Sequence, residues 1–240
     1  MFRKLFLLML ISTSILFSQQ TYFSMGYKLL LAGSLPGLDI VSDNKSLIEK
    51  EFESQSSFEW GLLFQPTYNV LFVKGDNFYN YTLLSFAFDF GYYNDSFKFI
   101  NYNNKRTETH LFDSINLGLY VQTTFSSFFI GAGGGVKLAL SGNLNYDYII
   151  EVLNYDRLKS RFDDLYIPYI KFLVGFKHIY GFSSSSISFY FNYDFPNIKL
   201  KASYPDIVKF KSIDLGVELS YYINFIPILY KEEYSDKKRI

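Results

Sequence analysis

The sequence predicts an all-β fold, a closed antiparallel up-and-down transmembrane β-barrel of eight strands with long extracellular loops and short periplasmic turns. Three observations predict it. The first is alternation, cleanest from Ile213 to Phe225. There Ile213, Leu215, Val217, Leu219, Tyr221, Ile223 and Phe225 share one face, and Asp214, Gly216, Glu218, Ser220, Tyr222 and Asn224 share the other. A period of two marks a strand with one apolar and one polar face, and a strand crossing a bilayer needs roughly 9–11 such residues, apolar outward and polar inward. The second is composition. The chain carries 27 Phe and 22 Tyr among 240 residues, yet its mean hydropathy is only +0.05, as it must be when half of each strand faces a lumen. The third is rhythm: long polar connections and short turns follow one another in strict rotation.

The ends fit the same picture. Met1-Phe2-Arg3-Lys4 is basic, Leu5 to Ile11 is apolar, and a small-residue stretch to Ser18 leads into Gln19-Gln20-Thr21. Residues 1–18 therefore read as a secretory signal peptide, too short for a spanning helix. Residues 19–230 read as the outer-membrane β-barrel domain and 231–240 as a charged periplasmic tail. There is no cysteine, which excludes a lipid-anchoring cysteine, disulfides and thiolate chemistry. With 23 Lys+Arg against 23 Asp+Glu, nothing points to nucleic acid.

The first strand is predicted over residues 22–35, with Phe23, Met25, Tyr27, Leu29 and Leu31 outward and Ser24, Gly26, Lys28 and Ala32 inward. An acidic loop, 39–56, follows, with a short helix predicted over 46–53. The second strand, 57–73, sets Phe58, Trp60, Leu62, Phe64, Tyr68, Val70 and Phe72 against Glu59, Gly61, Gln65, Thr67 and Asn69, and outward Pro66 predicts a bulge or weakened pairing. After the turn Lys74-Gly75-Asp76-Asn77, the third strand, 78–93, presents Leu84, Phe86, Phe88, Phe90 and Tyr92 opposite Ser85, Ala87, Asp89 and Gly91. Residues 94–112 read as a polar loop.

The fourth strand, 113–125, alternates Ile115, Leu117, Leu119 and Val121 with Ser114, Asn116, Gly118, Tyr120 and Gln122. The Ser126-Ser127 turn leads to the fifth, 128–148, where Ile130, Ala132, Val136, Leu138, Leu140, Leu144 and Tyr146 are assigned outward. Gly131, Gly133, Gly135, Lys137, Ser141, Asn143, Asn145 and Asp147 are assigned inward. A charged loop with some helical spacing, 149–165, precedes the sixth strand, 166–179, which sets Ile170, Phe172, Val174 and Phe176 against Tyr169, Lys171, Gly175 and Lys177. The seventh, 186–195, opposes Ile187, Phe189, Phe191 and Tyr193 to Ser188, Tyr190, Asn192 and Asp194. A basic loop, 199–211, leads to the last.

Barrels of the outer membrane keep short turns and both termini periplasmic, long loops outside, and an even strand count. Ten strands would need a further hairpin in the first or third long loop, and neither alternates well. The chain thus resembles the small eight-stranded outer-membrane barrels of Gram-negative-type bacteria, the OmpA/OmpX-like or PorT-like outer membrane protein beta-barrel class, over nearly its whole mature length. The likeness is architectural. One local match is more specific: Asp214, Gly216, Leu219 and Tyr221 fit the last-strand signal that barrel-assembly machinery reads, although Pro227 and the charged tail follow it. The resemblance implies outer-membrane lipid and that machinery as partners, and bacterial outer-membrane localisation after export.

The alternation assigns Lys28, Glu59, Asp89, Lys137, Asp147, Lys171, Lys177, Asp194, Asp214 and Glu218 to the lumen. Charges in so narrow a space must pair and hydrogen-bond, which predicts a salt-bridged interior rather than an aqueous channel. Gly131-Ala132-Gly133-Gly134-Gly135 before Lys137 lacks the ending and helix of a phosphate loop. It reads instead as a stripe that makes room for Tyr120 and Tyr169. His178 falls on the outward periplasmic belt and His110 in the second outer loop, beside Asp113 and Ser114. Only His110 and Ser114 could seed a hydrolase site, and no catalytic, cofactor or metal site is assigned. The expectation is a non-enzymatic envelope protein that makes surface contacts, with a host surface or an extracellular ligand, through its outer loops; the alternatives are a small porin-like channel or a loop-borne hydrolase.

Overall fold

A computed structural model describes residues 18–41, 52–73, 81–102, 105–147, 149–180, 182–201 and 207–225. Four long strands form its first half: β1 (Ser18–Val41), β3 (Ser57–Val73), β4 (Tyr81–Asn101) and β5 (Arg106–Phe125), with a short β2 (Phe52–Gln55) between the first two. The second half comprises β6 (Phe128–Tyr146), β7 (Ile149–Leu153), helix α1 (Tyr155–Arg161), β8 (Phe162–Asp163), β9 (Tyr166–Tyr180), β10 (Ser183–Asp194), β11 (Lys199–Leu200) and β12 (Ile207–Phe225).

Eight strands pair with their neighbours in the order β1-β3-β4-β5-β6-β9-β10-β12, and β12 pairs back onto β1 from Phe23↔Phe225 to Val41↔Ile207. Every pairing is antiparallel, so the barrel is closed and up-and-down, and no edge is left along its wall. The predicted faces hold through the middle of each strand. Outward Tyr27, Leu62, Phe90, Leu119, Phe172, Phe189 and Leu215 are exposed, whereas inward Lys28, Glu59, Asp89, Tyr120, Lys171, Tyr190 and Asp214 are buried.

The barrel is taller than the predicted strands. β5, with 20 residues, runs about 66 Å at ~3.3 Å per residue; tilted by ~40°, it rises about 50 Å, twice the ~25 Å apolar band of an outer-membrane barrel. The surplus is at the end that carries the long connections. Residues 94–101 and 106–112 are therefore not loop: they continue the β4–β5 ladder, from Asn94↔Asp113 to Asn101↔Arg106. In this part the outer positions turn polar, with Asp39, Lys98, Asn143, Asn145, Lys209 and Lys211 partly exposed, and the inner positions turn apolar.

A β-bulge makes one of these reversals. Ser114 pairs with Ala139 but Asp113 with Ser141, so Leu140 is the extra residue on β6. Two residues oppose one there, and every side chain beyond changes face. Leu144, assigned outward, is buried inside with Tyr146 packed near it, while Asn143 and Asn145 face out. Asp147, assigned to the lumen, is an exposed turn residue at φ 50° whose carboxylate accepts from Thr107 N–H and faces Arg106 at 3.7 Å. Pro66 causes no bulge. The β3–β4 register is the same on both sides of it, and pairing with β4 is only interrupted at Gln65 and Pro66.

The long connections carry short elements of their own. Of the helix predicted over 46–53, residues 46–51 lie outside the described residues, and Phe52 and Glu53 belong to β2, paired with β4. The helical spacing in 149–165 becomes α1, capped by the Asn154 side chain, which accepts from Arg157 N–H at 3.0 Å. The residues assigned to a signal peptide, except Ser18, and those assigned to a charged tail lie outside the described residues.

Candidate functional site

The lumen is filled in three storeys. Nearest the long loops is an apolar cap. Phe97, Phe99, Phe112, Leu144, Leu153, Leu158, Phe162, Ile198 and Phe210 are buried together there. Alternation on β4, β5 and β12 delivers four of the rings, and α1 brings Leu158 over the mouth. β8 and β11 pair with each other, and β11 joins β12 at Lys199↔Lys209, which ties the third and fourth connections into the lid. Phe112 packs edge-on against Phe97 and Phe162, with centroids 5.8 and 5.3 Å apart.

His110 belongs to this cap. Its ring is 4.9 Å from that of Phe210 and 6.2 Å from that of Phe162, and its Nδ1 has no hydrogen-bond partner. Burial, reinforced by Arg161, lowers its pKa to about 4, so the ring is neutral. Ser114 is below it in the lumen, donating to Asp95 at 3.0 Å. The two residues considered for a hydrolase therefore form no nucleophile–base pair. His178 is exposed on the wall, 4.2 Å from the Tyr180 ring.

Below the cap is an acidic tier. Lys137 Nζ lies 2.5 Å from Asp95, 2.8 Å from Asp194 and 3.9 Å from Asp214, and 4.2 Å from the centroid of the Tyr93 ring. Asn192 donates to both Asp194 and Asp214, Ser34 to Asp214, and Ser212 to Asp194. Glu59 accepts from the Tyr93 hydroxyl and from Ser96 N–H. All eight carboxylate oxygens of Glu59, Asp95, Asp194 and Asp214 thus have a donor, the condition under which buried charge is tolerable. Asp95 was missed in the sequence because it fell in the segment read as loop.

The third storey is basic. Glu218 receives Lys28 at 2.7 Å on one oxygen and Lys171 at 2.6 Å on the other. Asp89 accepts from Gln65 at 2.5 Å and is 3.5 Å from Lys28, and the Tyr222 hydroxyl donates to Gln65. Lys177 sits lowest, 4.9 Å from the centroid of the Tyr222 ring. Between the tiers, Tyr120 and Tyr169 share a hydrogen bond of 2.8 Å. Glycine makes their room: a Cβ on Gly118 would lie 2.4 Å from the Tyr169 hydroxyl, and one on Gly133 would lie 2.3 Å from Tyr120 Cδ1. A gap of about 10 Å³ is left among Leu30, Leu63, Asn116, Asn192 and Tyr190, room for about one water.

Of the assembly-signal residues, Asp214 is in the acidic tier, Leu219 and Tyr221 are exposed on the wall, and Gly216 faces the Tyr190 ring, which a Cβ would meet at 2.6 Å. No group of three or more His, Cys, Asp or Glu positioned to hold a metal occurs among the described residues.

No family model matches the chain, and no curated protein does. Among solved structures it is similar to Neisserial surface protein A (14% identity, 82% of this chain and 95% of that one, TM-score 0.34). It is also similar to the outer membrane protein AlkL (13%, 86% and 91%, 0.38) and to the outer membrane protein OprG from Pseudomonas aeruginosa (12%, 87% and 97%, 0.30). At these TM-scores the fold rests on the closed ladder of the chain itself.

Proposed function

We propose that this chain is a sealed barrel of the bacterial outer membrane, reached after signal-peptide-dependent export, and that it is not an enzyme. Its roles are envelope structure and surface contact, adhesion or host exposure, through its outer part. One observation carries the reading: the wall is apolar outside all eight strands at the level where the lumen is charged and filled. Exposed Leu29, Leu62, Phe88, Val121, Ile130, Val174, Phe189 and Ile223 represent the eight strands. Water would not tolerate a continuous belt of this kind, and a bilayer requires it. The cap closes the lumen from outside, which favours a sealed barrel over a channel. Above the belt, the third connection presents Ile149, Ile150, Val152 and Tyr155 to solvent, on a rigid scaffold of the kind that carries recognition.

The missing cysteines supply the test. Single cysteines at Asn154, beside α1, and at Ser127, in a short turn, are challenged on intact cells with a membrane-impermeant maleimide. Labelling at Asn154 alone is the expected result; labelling at neither until lysis would overturn the membrane placement. Replacing the exposed Ile149, Ile150 and Val152 with serine should reduce adherence of cells to host surfaces while leaving the amount of barrel unchanged. Adherence unchanged by those substitutions would remove surface contact through this connection, and unitary conductance steps from the purified protein in a planar bilayer would remove the sealed lumen.

A further inference from the structure

One buried cation in the lumen has no counter-ion among the described residues. Lys177 is only 3% exposed, near the short-turn end of β9, and no carboxylate of the described residues comes within ion-pair distance of it. The two acids of the basic tier are engaged elsewhere: Glu218 by Lys28 and Lys171, Asp89 by Lys28 and Gln65. Three lysines therefore stand against two carboxylates. The Tyr222 ring offers Lys177 a cation–π contact at 4.9 Å, but such a contact returns less than the burial of a charge costs.

The surroundings of Lys177 are hydroxyl-rich. In the strand register Lys177 lies opposite Ser186, and Ser186 lies opposite Ser220 on the next strand. Ser188, one inward position further along β10, is 1% exposed and Ser220 is 7% exposed. The Ser188 hydroxyl has no hydrogen-bond partner, and that of Ser220 has only the Tyr222 hydroxyl to turn to. Adjacent strands are ~4.8 Å apart, so a lysine side chain and both hydroxyls can converge on one point. A buried cation beside two O–H donors that no carboxylate claims is the complement of a small anion, since each hydroxyl can donate and the ammonium supplies charge.

We propose that the lumen binds a single small inorganic anion of halide size, held by Lys177 Nζ and the hydroxyls of Ser188 and Ser220, and reached from the short-turn end. The site requires only that the barrel be closed and does not depend on what the outer connections contact.

Crystals of the full chain soaked in bromide test it directly. The expected result is an anomalous difference peak at hydrogen-bond distance from Lys177 Nζ, absent in Lys177→Met. In detergent micelles, the unfolding midpoint of the wild type should rise with bromide at constant ionic strength and not with gluconate. It should be insensitive to bromide in Lys177→Met and in Lys177→Gln, which keeps a polar head should the apolar variant fail to fold. No peak beside Lys177, a carboxylate of the chain seated there, or a neutral amine by side-chain ¹⁵N NMR would overturn the proposal. An equal bromide response in wild type and variants, an adventitious ion only, would do the same.

Discussion

Replacing Lys137 with methionine isolates the energetics of the acidic tier. The ammonium makes two short charge-assisted bonds, to Asp95 and Asp194, and approaches Asp214 at 3.9 Å. Such bonds contribute about 1.5–3 kcal/mol each, and deleting one partner of a buried ion pair costs about 3–5 kcal/mol because the other charge is stranded. Asp95 and Asp194, both within reach of one ammonium, also repel: at ~5 Å and an effective dielectric of ~20 this amounts to about 3 kcal/mol. The expected loss is therefore at least ~4 kcal/mol. Trp60 is the one tryptophan in the sequence; its ring centroid lies 4.9 Å from that of Tyr92 on the wall, so its fluorescence reports urea unfolding in micelles. Lys137→Met should lower the midpoint by that equivalent, and adding Asp194→Asn should recover part of the loss by removing a stranded charge. A single variant within ~1 kcal/mol of wild type, or a double variant worse than the single, would refute the pairing.

The neutral His110 gives the cap a pH dependence. Its pKa is lowered from an unfolded value near 6.5 to about 4, so between those values the unfolded chain binds a proton that the native one does not. Stability should fall as pH drops from ~6.5 towards ~4, by about 3 kcal/mol in all; the difference between wild type and His110→Phe in urea midpoint over that range measures it, and a constant difference would contradict it. Leu158→Ala should cost about 2–4 kcal/mol in unfolding free energy, as for other fully buried leucines, and should speed proteolysis of the third connection while sparing the wall. Gly118→Ala should destabilise by about 1–3 kcal/mol through overpacking against the two tyrosines. Tyr169→Phe in the same chain should relieve part of that, because the nearest atom to the added Cβ is the Tyr169 hydroxyl.

The membrane-level wall was legible because one rule, apolar out and polar in, governs it. The alternation bounds β3 to the residue, Ser57–Val73, and Lys171, Lys177, Asp194, Asp214 and Glu218, assigned to the lumen face of β9, β10 and β12, are buried. The outer part was not, because the same alternation changes its meaning where the surroundings change from lipid to water. Phe97 and Phe99 alternate with Ser96 and Lys98, a regular strand pattern, but with the apolar side inward the segment does not look like a wall strand and was read as a loop. Asp95 was lost with it. The bulge at Leu140 left little local trace, since Leu138, Leu140 and Leu144 share the even series, interrupted only by Gly142; the β5 partner strand reveals the extra residue.

The reversal explains why cap and tiers are stacked as they are. In the bilayer the outer face must be apolar, so polar residues go inside and have to satisfy one another, which the donor-complete acidic tier does. Above the bilayer water solvates the outer face, and the interior can be stabilised as in a soluble barrel, by ring packing and leucine burial. The junction falls where Ser114, Asp95 and Lys137 meet the cap. On the outer surface at this height Asp113 gathers Tyr92 at 2.5 Å, Asn94 at 3.1 Å and Ser141 at 3.1 Å. Asp113 and Ser141 are the pair directly above the bulge, so the β6 phase change and the polar knot share one level. Without the bulge, Leu144 would turn out to water and a neighbouring asparagine in among the rings. The extra residue is thus required from both sides, by lipid below and by the cap above.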